Sequence, residues 1–219
     1  MLRLYGVARS RASRNIWLLQ ELGASYVHVP VIQAYRLEDP DAADAPLHTQ
    51  SPAFLAINPA GAIPALEDDG FVLTESLAIN LYLARKVGGP LAPRDDREDA
   101  LMMKWALYGA TAVEGPALAI LYAHSDGRAE TEAGRREIAE NAARLARPLA
   151  VLEDHLEATG DMVGGRFTVA DINMAEILRY AQSEPGALAA YPALTRWLAA
   201  CQARPAFQAM WTQRLAEPA

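Results

Sequence analysis

The sequence predicts two domains in series, an α/β arrangement followed by an all-α one. Three observations carry that prediction. Up to residue 87, short apolar and β-branched runs alternate with stretches of helical period. Beyond residue 94 only the helical period remains. Between them lies GGPLAPR, residues 88–94, short and rich in the Gly and Pro that mark connections.

The elements follow in order. Residues 2–7 are apolar-rich and predict a first strand, with a polar stretch at 8–14 behind it. Ile16, Leu19 and Gly23 then mark one face of a helix, flanked by Trp17 and Leu18, with Gly23 as its stop. Residues 26–32 alternate and are β-branched, predicting a second strand. Strand, helix and strand at this spacing make a βαβ unit, which implies parallel pairing and a right-handed crossover. Residues 33–51 are acidic, Ala-rich and punctuated by proline, and predict an exposed loop whose length is uncommon unless it is functional or mobile. Residues 64–67 and 71–74 predict two strands around a tight Asp68-Asp69-Gly70 turn, a β-hairpin. Residues 75–87 predict an amphipathic helix carrying Leu77, Leu81 and Leu83. After the linker come long helical stretches at 95–123 and 130–159, and shorter ones at 168–182, 192–204 and 205–215. Pro116 and Pro148 fall inside the two long ones, where each removes a backbone hydrogen bond and is expected to kink its helix. The predicted domains are therefore 1–87 and 95–219, joined by 88–94.

Composition narrows the function. The chain has 219 residues, 52% hydrophobic and 21% charged, the balance of a protein with a real core. Its net charge of −7, with acidic residues interspersed among the arginines, argues against a nucleic-acid partner. A single cysteine, Cys201, rules out an internal disulfide framework and suits a reducing cytoplasm. Its place late in a helix predicts a buried structural thiol. No run of about 18 uninterrupted apolar residues occurs, so no membrane partner is expected. His28, His48, His124 and His155 are scattered without metal-ligand spacing, so no metal is expected either.

Four segments then stand out: LYGVARSRASRNIWLLQELG, NPAGAIPALEDDG, the pair Glu75-Ser76 opening a helix, and FTVADI at 167–172. In their order and spacing they resemble the soluble glutathione transferase family, specifically a bacterial serine-type member, over nearly the full chain. The resemblance implies a thioredoxin-like first domain that binds glutathione and a helical second domain that shapes the hydrophobic substrate pocket. It implies glutathione as co-substrate, a hydrophobic electrophile as second substrate, a role in detoxification and a homodimer.

Each segment has its own physical reading beside that resemblance. Ser10 falls at the start of the first helix, where unpaired N–H groups and the helix dipole favour an anion. There it either caps the helix or, as the resemblance implies, donates a hydrogen bond to the glutathione thiolate. The chemistry needs that donor because a thiol of pKa about 8.5 is only slightly ionised at neutral pH. Ser13 is the rival for the same role. Ile63-Pro64 resembles the family's cis-proline segment, which would turn the Ile63 backbone toward the cysteinyl main chain of glutathione, much as a strand adds to a sheet edge. Many relatives carry Gln or Lys just before this Ile; here it is Ala62.

Glu75 and Ser76 suit a γ-glutamyl group, the acid accepting from its ammonium and the hydroxyl meeting its carboxylate at the positive end of a helix. Gln50, with His48, is a candidate for the glycine end of the tripeptide. Tyr5 in the first strand is core or pocket wall. Trp105 and Tyr108 are candidates for the wall of the electrophile pocket, and Tyr122 lies near the same Gly115-Pro116 segment. Thr168 and Asp171 form a capping-box variant with Phe167 as its hydrophobic staple, a structural motif whose loss would cost about 1 kcal/mol or more.

Overall fold

The computed structural model describes residues 1–217 and divides into two compact units. The first begins with β1 (Leu2–Tyr5), α1 (Ser13–Glu21) and β2 (Val27–Val29). It continues through a single short turn of helix, α2 (Pro52–Leu55), then β3 (Ala65–Asp68), β4 (Phe71–Thr74) and α3 (Ser76–Val87). The sheet runs β2-β1-β3-β4, with β1 parallel to β2 and antiparallel to β3, and β3 antiparallel to β4. The predicted βαβ unit and hairpin are both present. The hairpin turn is the pair Asp69-Gly70, both at positive φ (48° and 88°), the two-residue geometry whose twist matches that of paired strands.

Successive side chains of a strand face opposite ways, which gives this sheet two buried faces. Tyr5 and Ala65, opposite one another in register, cluster with Val31 and Phe54 on one face. Leu4 and Leu66, the neighbouring register pair, turn the other way and are fully buried. Helices α1 and α3 pack on each other and bury Ile16, Leu19, Ile79 and Leu83.

The expected loop at 33–51 is a pinned excursion. Ile32 N–H donates to Leu47 C=O and Thr49 N–H donates back to Ile32 C=O, closing the base of the loop, while residues Ala34–Arg36 form one 3-10 turn.

The second unit, Gly88–Arg204, is helical. It holds α4 (Asp96–Tyr108), α5 (Glu114–Ser125), α6 (Glu132–Thr159), α7 (Val169–Leu178) and α8 (Pro192–Gln202). Between α4 and α5 the helix does not stop: Gly109–Val113 takes the wider π form, with Glu114 N–H donating to Gly109 C=O five residues back. The cause is Pro116. It offers no N–H and its ring crowds the carbonyl of Ala112, and a π turn just upstream loosens that contact. Thr111 adds to it by donating its hydroxyl to the Leu107 carbonyl. The predicted distortion at Pro116 is thus a π segment, whereas α6 stays helical through Pro148.

Taken together, Asp96–Ser125 is a helix of 30 residues containing an 18-residue window of mean hydropathy 1.2. Charged residues such as Glu114 interrupt it, in keeping with the absence of an unbroken apolar run in the sequence. Length and apolarity nevertheless reach those of a membrane span, and 44% of the window is buried in the structure. Its buried side chains include Met102, Trp105, Val113, Ala117 and Ile120.

The expected division at 95–219 differs at its end. The last helix, α9 (Pro205–Ala216), groups with the first unit. Phe207 sets its ring edge-on to Trp17 of α1 at 5.0 Å, and Trp211 stacks behind it at 5.8 Å. A helix opened by a second proline looks in sequence like a continuation of α8, but its Phe207 and Met210 are buried and it packs on α1.

Candidate functional site

The chain leaves β1 through Gly6, at φ 145°. A Cβ here would lie 2.9 Å from Ala12 Cβ and 3.5 Å from Ile63 Cβ, so only glycine lets the following turn approach the Ile63-Pro64 segment. Gly6 is held on both sides, its N–H donating to Val29 C=O and its carbonyl accepting from His28 Nε2 at 2.8 Å.

Ser10 sits in the turn that follows, half-buried and three residues ahead of the start of α1. It is therefore not in the first turn of the helix, as the sequence suggested. Its hydroxyl donates to Val7 C=O at 2.6 Å and accepts from Ala12 N–H at 3.0 Å. Ser13 opens α1 and is fully buried.

The start of α1 is tied to the start of α3. Arg14 Nη1 donates to Ser76 Oγ at 3.0 Å, and Asn15 Nδ2 donates to the Ser76 carbonyl at 2.9 Å and to Asn80 Oδ1 at 2.7 Å. Asn80 Nδ2 returns a bond to Arg14 C=O at 3.2 Å. Arg14, Asn15 and Asn80 are buried polar residues that sequence reasoning passed over. Their signal was three polar side chains at positions where the helix period calls for apolar ones.

Glu75 precedes α3 with φ 68°, a left-handed conformation that costs an L-residue about 1–2 kcal/mol. Such strain concentrates where a side chain must be aimed, and this one is exposed. The Ile63-Pro64 bond is cis. Pro64 is buried, and among the described residues the N–H and C=O of Ile63 have no hydrogen-bond partner. Asn58 shapes the loop ahead of them by donating to Ala62 C=O at 2.6 Å.

The Ser10 turn, the Ile63-Pro64 segment and the Glu75-Ser76 pair are thus joined through Gly6, Arg14 and Asn15 within one unit. Gln50 is exposed at the foot of the 33–51 excursion, its N–H donating to His48 Nδ1 at 3.2 Å. His48 itself is buried, and its N–H donates to Ser51 Oγ at 3.0 Å.

Tyr5 is buried on one face of the sheet, beside Phe54 and Ala65. It belongs to the core of the first unit, and its hydroxyl donates to Glu67 Oε2 at 2.8 Å. Burial raises that phenol above its ordinary value. Trp105, in the helical unit, borders a cavity of about 440 Å³ with Leu101, Lys104, His155 and Asp161. Its indole lies 4.6 Å from the His155 ring, with the Lys104 ammonium 3.4 Å above it. Tyr108 meets Trp105 edge-on at 5.5 Å without reaching that cavity. Cys201 is buried, as expected of a structural thiol.

Two family descriptions match this chain. "Glutathione S-transferase, N-terminal domain" covers residues 4–91, and "Glutathione S-transferase, C-terminal domain" covers residues 100–205. A maize (Zea mays) protein named glutathione S-transferase 3 is 34% identical over 94% of this chain and 91% of its own length. The chain belongs to the glutathione S-transferase family.

This glutathione S-transferase family chain, an enzyme by that classification, shares its thioredoxin-like and helical domains with solved family structures. One, described as glutathione S-transferase I bound with lactoylglutathione, superposes with a TM-score of 0.81 at 27% identity. The match covers 97% of this chain and 99% of that one. The zebrafish (Danio rerio) protein elongation factor 1-gamma is 33% identical over 73% of this chain, but the chain spans only 36% of that protein's length.

Proposed function

We propose that this protein is a serine-type glutathione transferase, in which Ser10 stabilises the glutathione thiolate for attack on a hydrophobic electrophile. The observation that carries the reading is the convergence in one unit of a half-exposed hydroxyl, an unpartnered Ile63 main chain beside a cis proline, and Glu75-Ser76 at a helix start.

Each part answers one portion of the tripeptide. The Ile63 N–H and C=O pair with the cysteinyl main chain, as a strand adds at a sheet edge. The Ser76 hydroxyl and the N–H groups of the first turn of α3 take the γ-glutamyl carboxylate, and Glu75 takes its ammonium. Gln50 faces the glycine end. The thiol gives its proton to solvent. Ser10 turns its hydroxyl from Val7 C=O to the sulfur, and the thiolate forms a bond to an electrophilic carbon, either displacing a leaving group with its electron pair or adding to a double bond whose other carbon takes a proton from solvent. Lowering the thiol pKa by about two units corresponds to roughly 2.7 kcal/mol of preferential thiolate binding. A charge-assisted hydrogen bond beside a helix start is of that order. Trp105 and Tyr108 are proposed to contribute to the electrophile side, and the active form is proposed to be a cytoplasmic homodimer.

The deciding experiment is a pH titration of the thiolate absorbance of bound glutathione. A thiol pKa well below that of free glutathione, lost in Ser10→Ala, supports the reading.

The elongation factor relative favours a second reading, a glutathione-binding or assembly module without turnover. Glutathione binding with an unshifted thiol, and no conjugation across a panel of electrophiles, would select it. Product analysis separates conjugation from isomerase, dehalogenase or peroxidase chemistry, since an isomerase regenerates glutathione and a peroxidase oxidises it.

A further inference from the structure

Ala8 and Arg9 lie between the end of β1 and Ser10, and no sheet ladder or helix reaches them. Their main chain is held instead from far along the sequence. The Glu217 carboxylate, one residue beyond α9, accepts from Ala8 N–H at 2.8 Å and from Arg9 N–H at 2.7 Å. Arg214, in the last turn of α9, donates from Nη1 to Ala8 C=O, and Arg9 Nε donates in return to Arg214 C=O at 3.0 Å. Gln33 Nε2 reaches Arg9 C=O at 3.4 Å. All four main-chain polar groups of the dipeptide are thus taken by Glu217, Arg214 and Gln33. Ala8 is completely buried, so its N–H and C=O have no easy substitute in water.

We propose that Glu217 is a positioning residue for Ser10: its carboxylate fixes the Ala8–Arg9 main chain and so the approach of the Ser10 hydroxyl to the glutathione sulfur. The proposal rests on the reading of Ser10 given above. Two effects act on the thiol in opposite senses. The two charge-assisted hydrogen bonds hold the turn in place, and small displacements of a donor are costly to a reaction. The carboxylate charge itself opposes a nearby thiolate. The Arg214 guanidinium, bonded to the same dipeptide, offsets that charge beyond the immediate contact, so positioning governs the outcome.

The test compares Glu217→Ala and Glu217→Gln with the parent protein in two measurements. One is the thiol pKa of bound glutathione with kcat and KM; the other is amide exchange at Ala8 and Arg9 by NMR without ligand. In Glu217→Ala the bound-thiol pKa is expected to rise by about one unit and kcat near neutral pH to fall about tenfold. KM for glutathione changes less than about threefold, because Ile63, Glu75 and Ser76 are untouched. The two amides exchange about tenfold faster or more. Glu217→Gln, which keeps one acceptor oxygen, falls between.

A bound-thiol pKa that stays the same or drops in both variants, with the parent shift intact, overturns the proposal and leaves Ser10 in its role. Amides that exchange no faster in Glu217→Ala overturn it as well. If the parent protein itself shows no lowered thiol pKa, the reading of Ser10 fails, and the proposal with it.

Discussion

The indole N–H of Trp197 donates to the Asp171 carboxylate at 2.8 Å, linking α8 to the first turn of α7 in the centre of the helical unit. The same carboxylate accepts from Met162 N–H at 2.9 Å, and from the N–H and the hydroxyl of Thr168 at 2.8 and 2.9 Å. Burial pushes this acid upward, and all four donors oppose that push. The capping box expected from the sequence is present, but it is also a hub joining α7, α8 and the segment that follows α6.

Asp171→Ala strips four buried donors of their acceptor at once. The expected cost is about 3 kcal/mol or more, well beyond a lost helix cap. Urea denaturation followed by far-UV circular dichroism checks it. A midpoint within error of the parent would show that water or rearrangement satisfies those donors.

Acid should weaken the helical unit through a second carboxylate. Arg166 holds Glu98 with two parallel hydrogen bonds, at 2.7 and 2.9 Å, and brings its pKa from the ordinary 4.5 down to about 2. A folded value below the unfolded one stabilises the protein above the unfolded pKa, and that stabilisation is lost as pH falls toward the folded pKa. The window therefore lies between about 4.5 and 2. Glu98→Gln should flatten stability across this window, with an effect of roughly 1–2 kcal/mol after solvent screening. Denaturation midpoints at several acid pH values would expose an unchanged slope if the pair is not responsible.

Ser10 and Ser13 separate cleanly by environment. Ser10→Ala is expected to raise the bound-thiol pKa by about one to two units and to lower turnover about ten- to a hundredfold. Ser13→Ala, at a fully buried position, should leave the thiol pKa where it was while altering thermal stability. The reverse pattern in the thiolate titration would transfer the role to Ser13.

Gly134 in the first turn of α6 has no room for a side chain. A Cβ there would stand 1.9 Å from the Arg128 carbonyl oxygen, a backbone atom that cannot swing away. Gly134→Ala is expected to destabilise by about 2 kcal/mol despite the better helix propensity of alanine. Thermal unfolding is the check, and a gain in midpoint would mean that the 3-10 turn at Arg128–Glu130 gives way at little cost.

Much of the first unit was legible in the sequence because its signals are local. Alternation marked β2, the Asp69-Gly70 pair marked the hairpin, and Ser10, Ile63-Pro64 and Glu75-Ser76 stood out as residue types with a chemical reason. What stayed hidden depends on partners far apart along the chain. Arg14, Asn15 and Asn80 interrupt the apolar period, but the partners that satisfy them come together only when α1 and α3 are packed. Tyr5 is as plausible in a pocket as in a core until Phe54 and Val31 enclose it. Glu217 gives no hint of its role, since nothing near it in sequence resembles the loop that it holds. The grouping of α9 with the first unit is hidden for the same reason, because its apolar face does not declare which core it will join.

The π segment at Gly109–Val113 acts like a dislocation in a crystal lattice. An α-helix advances about 100° per residue, so one surplus residue in a turn rotates everything downstream by about that angle relative to everything upstream. The face that α4 presents and the face that α5 presents are therefore not the same stripe of one cylinder. The thirty-residue helix can therefore address two different sets of neighbours. Deleting one residue among 109–113 would restore a single phase. It would then set half of this helix out of step with the core it was built to fill.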